Sequence, residues 1–111
     1  MFIAGTKKPK VKKIEIIGGR YTDRNGNTYH KSAVYVNDKK IAISPRTYGY
    51  GNQYEYSGMQ EVVNRGYFPR ILKKAGNIYS LPRELRERGI KVKTKAIDFK
   101  RKKDFDAFEG A

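Results

Sequence analysis

The chain has 111 residues and carries 25 lysines and arginines against 11 acidic residues, a formal net charge of +14. It contains no cysteine, which excludes disulfides, thiolate catalysis and cysteine-ligated metals. No stretch approaches the roughly 18 consecutive apolar residues of a membrane span, and the N-terminus lacks the apolar length of a signal peptide. We therefore expect one small cytoplasmic domain that binds a polyanion and has no membrane partner.

Charge and hydropathy divide the chain into three parts. Residues 1–10 are predicted to be a flexible basic arm, because its lysines repel one another and Pro9 cannot donate to a strand. Residues 11–100 are predicted to form a single α+β domain. Residues 101–111 are expected to be a charged C-terminal tail, in which Phe105 and Phe108 share the spacing of one helical face.

The first part of the domain has the pattern of an antiparallel meander. Residues 11–17 are rich in β-branched residues, and the following Gly18-Gly19 pair suggests a bulge or bend. The Asn25-Gly26 pair is a strong hairpin signal, because both residues tolerate positive φ. The return strand is predicted over about residues 28–36.

A second hairpin is predicted to follow, with residues 37–40 as its loop. In that register Val36 faces Ile41 and Val34 faces Ile43, so that apolar side chains share one face. Pro45 ends the third strand, because proline has no backbone donor.

Short helices are expected between residue 57 and residue 89. Ser57 is a candidate N-cap and Gly66 a candidate helix stop, and further helical turns are predicted over 70–75 and 80–89. Residues 90–99 are predicted to form the last strand. The fold class is therefore α+β, with an antiparallel sheet of about four strands in the order β-β-β-α-α-β and two or three short helices on one face.

The last predicted strand carries a ladder of lysines. Lys91, Lys93 and Lys95 alternate with apolar residues, which places their ammonium groups on one face about 7 Å apart. That separation is close to the separation of successive phosphates along a nucleic-acid strand. The alternative is an ordinary solvated edge strand, on which lysines discourage aggregation.

Basic residues also flank this ladder. Residues 83–103 contain ten basic and three acidic residues, a net charge of +7 in one fifth of the chain. Such a concentration is typical of an electrostatic footprint for nucleic acid. The flanking candidates for phosphate contacts are Arg83, Arg86, Lys100 and Arg101. The lysines within residues 7–13 are expected to reinforce them.

Four tyrosines and two glycines lie within residues 46–56. Tyrosine rings can stack on bases, and glycine lets the backbone approach a partner closely. The candidates for stacking are Tyr48, Tyr50 and Tyr54, with Arg46 as a phosphate contact. Because the core is poor in aliphatic residues, we expect about two of the four rings to point inward and two outward.

Residues 29–56 contain a Val-Tyr-Val strand and the loop Thr-Tyr-Gly-Tyr-Gly-Asn-Gln-Tyr. In these two features the segment resembles small uncharacterised basic proteins encoded by bacteriophages. The resemblance covers about a quarter of the chain. It implies a small intracellular protein that acts on nucleic acid or on a host protein, and it implies no established chemistry.

The sequence gives little support for catalysis. His30 is the single histidine, so it cannot form a multi-histidine metal site, and no phosphate-binding glycine loop is present. We therefore expect no enzyme activity, no cofactor and no metal. The predicted function is non-catalytic binding of DNA or RNA with low sequence specificity. The alternative is a small regulator or inhibitor that binds a host protein through residues 46–56, and a homodimer is compatible with either.

Overall fold

The computed structural model describes residues 10–110, so most of the predicted basic arm lies outside the described residues. The chain forms an α+β fold of five strands and four helices within this range, which confirms the predicted class. The strands are β1 (Lys13–Thr22), β2 (Thr28–Val36), β3 (Lys39–Ile43), β4 (Thr47–Tyr48) and β5 (Lys91–Phe99). The helices are α1 (Gln53–Asn64), α2 (Pro69–Ala75), α3 (Leu81–Glu87) and α4 (Lys102–Ala107).

The sheet is mixed, whereas the sequence predicted an antiparallel one. Its order is β3-β2-β1-β5, and the short β4 pairs with β2 beyond the end of β3. Strands β1, β2 and β3 form the expected antiparallel meander, but β5 runs parallel to β1. The helices α1 to α3 return the chain to the end of the sheet at which β1 begins. Strand β5 therefore starts beside the start of β1 and runs in the same direction.

The second hairpin has a tighter turn than the sequence predicted. Asn37 and Asp38 both adopt positive φ, 50° and 71°, and form a two-residue turn. The register changes at a bulge between Val34 and Tyr35. Val34 therefore lies opposite Ala42, and not opposite Ile43 as predicted.

The glycine pair of β1 is not a bulge, because the register with both neighbouring strands is regular there. A Cβ on Gly18 would lie 2.2 Å from the Tyr54 ring, and a Cβ on Gly19 would lie 2.8 Å from the Phe108 ring. The two glycines therefore allow aromatic rings to lie directly on the backbone of β1, one on each side of the sheet.

The main core lies on the face of the sheet that we call the front face. Ile14, Ile16 and Val34 of the sheet are completely buried there. Met59 and Val62 of α1 and Leu81 and Leu85 of α3 pack against them, and the apolar side chains of α2 close the layer. The front face therefore holds the apolar area that stabilises the domain.

The predicted helix limits hold at the C-terminal ends, where Gly66, Gly76 and Gly89 have positive φ after α1, α2 and α3. Helix α1 begins at Gln53, four residues before the predicted N-cap Ser57.

Helix α4 lies on the opposite face, which we call the back face. We expected a charged tail here and all helices on one side, but Phe105 is fully buried and Phe108 is 6% exposed. Phe108 packs with Ile17 and Ala33, and Phe105 stacks on Tyr21 with ring centroids 5.9 Å apart. The two phenylalanines cover only one part of the back face, and of its other residues Tyr35 and Phe99 are half-buried while Lys91, Lys93 and Lys95 are exposed.

Candidate nucleic-acid interface

The edge lysines, Lys91, Lys93 and Lys95, lie on the outermost strand of the sheet and are all exposed. They alternate with Val92, which is buried in the front core, so they project from the back face. Within the described part of the chain none of the three forms an ion pair. In the register with β1, Lys91 lies beside Lys13 and Lys93 lies beside Glu15. This strand therefore carries positive charge that the protein leaves largely uncompensated.

Two shallow grooves meet at the start of β5. The first, of about 410 Å³, is lined by Arg86, Lys91 and Lys93, and Arg86 donates a hydrogen bond to the Val92 carbonyl at 3.0 Å. The second, of about 520 Å³, is lined by Lys12, Lys13 and Lys91 together with Asn37, Asp38 and Gly89. Lys13 forms an ion pair with Asp38, whose carboxylate raises the pKa of Lys13 through a direct hydrogen bond. The grooves extend the charge of the edge lysines onto α3 and the start of β1.

The loop between β4 and α1 is fixed from the core by His30. This side chain is 1% exposed, and its Nδ1 lies 3.1 Å from the Gly49 carbonyl oxygen. A carbonyl can only accept, so Nδ1 carries the hydrogen and Nε2 accepts from the Ser57 hydroxyl at 2.6 Å. Burial lowers the pKa of His30, and the hydrogen bond to Gly49 partly opposes that effect. His30 is thus a neutral structural residue of the loop.

Arg20 fixes the same loop from β1. Its Nε and Nη2 donate to the two carboxylate oxygens of Asp98 at 2.6 and 3.0 Å, and its Nη1 donates to the Gly51 carbonyl at 2.8 Å. The direct hydrogen bond from Arg20 lowers the pKa of Asp98. Because this guanidinium is already bidentate to a carboxylate, we assign it a structural role and not a phosphate contact.

The three tyrosines predicted to stack on bases have different positions. Tyr48 and Tyr50 are 64% and 73% exposed, whereas Tyr54 is 5% exposed in the front core. Tyr54 is therefore a correction to the predicted site: its ring packs against Gly18 and cannot reach a base. Its burial raises the pKa of its hydroxyl. The Arg20 guanidinium lies over the Tyr54 ring, 5.9 Å from the centroid.

Arg46 and Tyr48 lie at the other margin of the sheet. Tyr48 packs edge-on against Tyr29 with ring centroids 5.7 Å apart, and the Arg46 guanidinium lies 4.9 Å from the Tyr29 centroid. Strands β2 and β1 separate this cluster from β5, a distance of about 14 Å for three strand spacings. The predicted residues therefore do not form one continuous patch.

The remaining candidates are all exposed. Arg83 lies on α3, and Arg101 is the N-cap residue of α4. Lys100 directly follows β5 and lines a cavity together with Tyr50. The structure thus brings Arg86 to the edge lysines and Tyr50 to Lys100.

Sequence reasoning missed Arg20, Thr22, Thr28 and Tyr79. Arg20 has the same strand parity as Ile14 and Ile16, which was the available signal that it faces the front layer. Tyr79 is 62% exposed and packs edge-on against Tyr56 at 4.7 Å. Tyr79 lies in the connection between α2 and α3, and no sequence pattern predicts the conformation of that connection.

Among residues 10–110 no group of three or more histidine, aspartate or glutamate side chains is placed to hold a metal ion. No described helix is long and apolar enough to cross a membrane. Comparisons of the chain with protein-family models, with curated proteins and with solved structures find no match.

Proposed function

We propose that this protein binds nucleic acid without catalysing a reaction on it, and that the edge lysines make the principal phosphate contacts. The observation that carries the proposal is the exposure of Lys91, Lys93 and Lys95 on one side of an edge strand, with no ion pair to any described residue. Three like charges in a row destabilise a sheet unless solvent or an anion meets them. A polyanion gains affinity there by releasing counterions.

The surroundings of the edge lysines support a long ligand. The two grooves add Arg86, Lys12 and Lys13 at one end of β5, and Lys100 and Arg101 follow at the other end. Strand β5 has nine residues and spans about 30 Å. Contacts of this kind are made to the phosphates and not to the bases. We therefore expect little sequence specificity and similar contacts to DNA and RNA.

The test is the salt dependence of binding to a labelled single strand of about 20 nucleotides, measured by fluorescence anisotropy between about 50 and 200 mM salt. Replacing the three edge lysines together by glutamate removes three phosphate contacts. We expect the affinity to fall at least about tenfold and the log–log salt slope to decrease by about 2, since each contact on a single strand contributes about 0.7.

The matched control is the combined Lys39→Glu, Lys73→Glu and Lys74→Glu variant, which changes the net charge equally at exposed positions away from β5. We expect it to lower affinity less and to leave the slope nearly unchanged. Equal affinities and slopes for the two triple variants would contradict the proposal, as would an affinity of the unmodified protein that does not respond to salt.

A second candidate is a regulator that binds a protein through residues 46–56. The exposure of Tyr48 and Tyr50 favours it, because tyrosine is common in adaptable binding loops. Purification from cells, with nuclease treatment and a high-salt wash, separates the two: a protein partner that survives both favours this candidate. On the resemblance of residues 29–56, we place either activity in the cytoplasm of a bacteriophage host.

A further inference from the structure

Tyr50 combines an exposed ring with a fixed backbone. The carbonyl before it, on Gly49, accepts a hydrogen bond from buried His30, and the carbonyl after it, on Gly51, accepts one from Arg20. The Gly49 N–H also donates to the Thr28 carbonyl at 2.9 Å. Tyr50, between these anchors, is nevertheless 73% exposed. The backbone that carries this exposed ring is therefore preorganised, so that less ordering is needed when a ligand contacts the ring.

The anchors of Tyr50 are themselves rigid. Arg20 is held by both carboxylate oxygens of Asp98 and by the buried Tyr54 ring. His30 is held by the Ser57 hydroxyl of α1. A continuous set of contacts therefore connects the front core to the backbone on either side of Tyr50.

A cavity of about 510 Å³ lies beside this ring, within the size range of small-molecule sites. The residues that line it are Arg20, Thr22, Thr28, Tyr50, Gly51, Asp98, Phe99 and Lys100. Thr22 and Thr28 share a hydrogen bond of 2.8 Å between their hydroxyls, which leaves one hydroxyl hydrogen free to donate. Lys100 forms no ion pair with any described residue, so its ammonium group is available to an anion.

We propose that this cavity is the subsite for one unstacked nucleotide of a single strand, with the base on the Tyr50 ring and a phosphate on Lys100. A flat ring, one free hydroxyl hydrogen and one ammonium group are the complement of a base, a sugar and a phosphate. The inference rests on the proposed function and deepens it. Lys100 directly follows β5, so a strand that leaves this cavity, which lies on the front side, reaches Lys95 by crossing the β5 edge to the back face.

The subsite implies a preference for single strands. In a duplex each base is paired and stacked on its neighbours, so its face is not available to a tyrosine ring. The edge lysines, by contrast, contact phosphates that both forms present. The protein should therefore bind a single strand more tightly than a duplex of the same sequence, and Tyr50 should account for the difference.

The experiment compares single-stranded and duplex forms of one labelled oligonucleotide. Tyr50→Ala should lower single-strand affinity about tenfold, should leave duplex affinity unchanged, and should not alter the salt slope, because no phosphate contact is lost. Tyr50→Phe keeps the ring and should bind almost as tightly as the unmodified protein. Lys100→Ala should weaken single-strand binding and decrease the slope by about 0.7.

The matched control is Tyr79→Ala, which removes a similarly exposed ring outside the cavity and should leave both affinities unchanged. Single-strand affinity that survives Tyr50→Ala while the triple edge-lysine variant loses binding would overturn the subsite and leave the proposed function standing. An equal loss for Tyr50→Ala and Tyr79→Ala would also overturn it. Absence of binding by the unmodified protein to either form would overturn both proposals.

Discussion

His30 shows how a single buried side chain can control the candidate site. Its two ring nitrogens are both used, one as the donor to the Gly49 carbonyl and one as the acceptor from the Ser57 hydroxyl. A protonated imidazole has two donors and no acceptor, so the Ser57 hydroxyl would have to turn and accept from Nε2, and the main cost of protonation is the charge that it leaves in the core. The neutral form is therefore the one that supports the loop.

This arrangement predicts a loss of stability in mild acid. The pKa of His30 is lowered from 6.5 in the folded protein, so the unfolded chain binds more protons just below pH 6.5. The free energy of unfolding should then fall as the pH drops through this region, by at most about 1.4 kcal/mol per pH unit, and the full loss is reached below the folded-state pKa. Urea denaturation between about pH 7.5 and pH 5 measures it, since carboxylates stay ionised over that range.

The control for this titration is His30→Asn, whose side-chain amide can still donate near the position of Nδ1 but does not titrate. We expect a lower stability for this variant at neutral pH and no pH dependence across the same range. An unchanged slope in His30→Asn would show that another group is responsible.

At the scale of the element, α4 shows most clearly what the sequence could and could not predict. The spacing of Phe105 and Phe108 indicated one helical face, and the structure buries both rings. The docking site of Phe108 could not be predicted, because it depends on the absence of a side chain at Gly19, which lies 89 residues earlier in the chain. The charges of the segment suggested a tail, but apolar contacts of two aromatic rings outweigh them.

Helix α4 should contribute measurably to the stability of the whole domain. Phe105→Ala removes a fully buried ring that stacks on Tyr21, and we expect it to lower the free energy of unfolding by about 3 kcal/mol. Urea denaturation with circular dichroism measures the change. Lys103→Ala, at an exposed position on the same helix, is the control and should change stability by less than about 0.5 kcal/mol. Equal midpoints for the two variants would show that α4 does not pack as described.

Strand β5 also shows which features of the topology and of the candidate site the sequence could predict. Alternation correctly predicted that Val92 is buried and that Lys91, Lys93 and Lys95 are exposed. Alternation carries no information about strand direction or neighbours, so the parallel pairing with β1 had to come from the structure. The same limit applies to Tyr50: the sequence made it a candidate for stacking without showing which tyrosines face solvent, and its anchors Arg20 and His30 reach it from separate strands.

At the scale of the whole molecule, the net charge of +14 acts on folding and on binding in opposite directions. Like charges repel one another more strongly in the compact state, while a polyanion is attracted by them. Four of the five described ion pairs are single contacts near the surface, where each contributes little, and the bidentate Arg20–Asp98 pair has the geometry of a stronger contact. Screening by salt should therefore stabilise the fold and weaken nucleic-acid binding.

Thermal unfolding without ligand tests the first half of this expectation. Between about 20 and 200 mM sodium chloride the Tm should rise by about 3 °C, which corresponds to about 0.5 kcal/mol for a domain of this size. The triple edge-lysine to glutamate variant, whose net charge falls from +14 to +8, should show a smaller rise. A Tm that decreases with salt would mean that attractive ion pairs outweigh the repulsion.

The parallel pairing of β5 with β1 also has a consequence for synthesis of the chain. Strand β1 obtains one neighbour from residues 28–36, but its other neighbour comes from residues 91–99. While a ribosome is still translating the helices, one side of β1 has open backbone groups and Ile14 and Ile16 lack their partners on β5. The nascent protein can close its sheet only after residue 99 has been translated, so this pairing joins the two described strands that are farthest apart in the sequence.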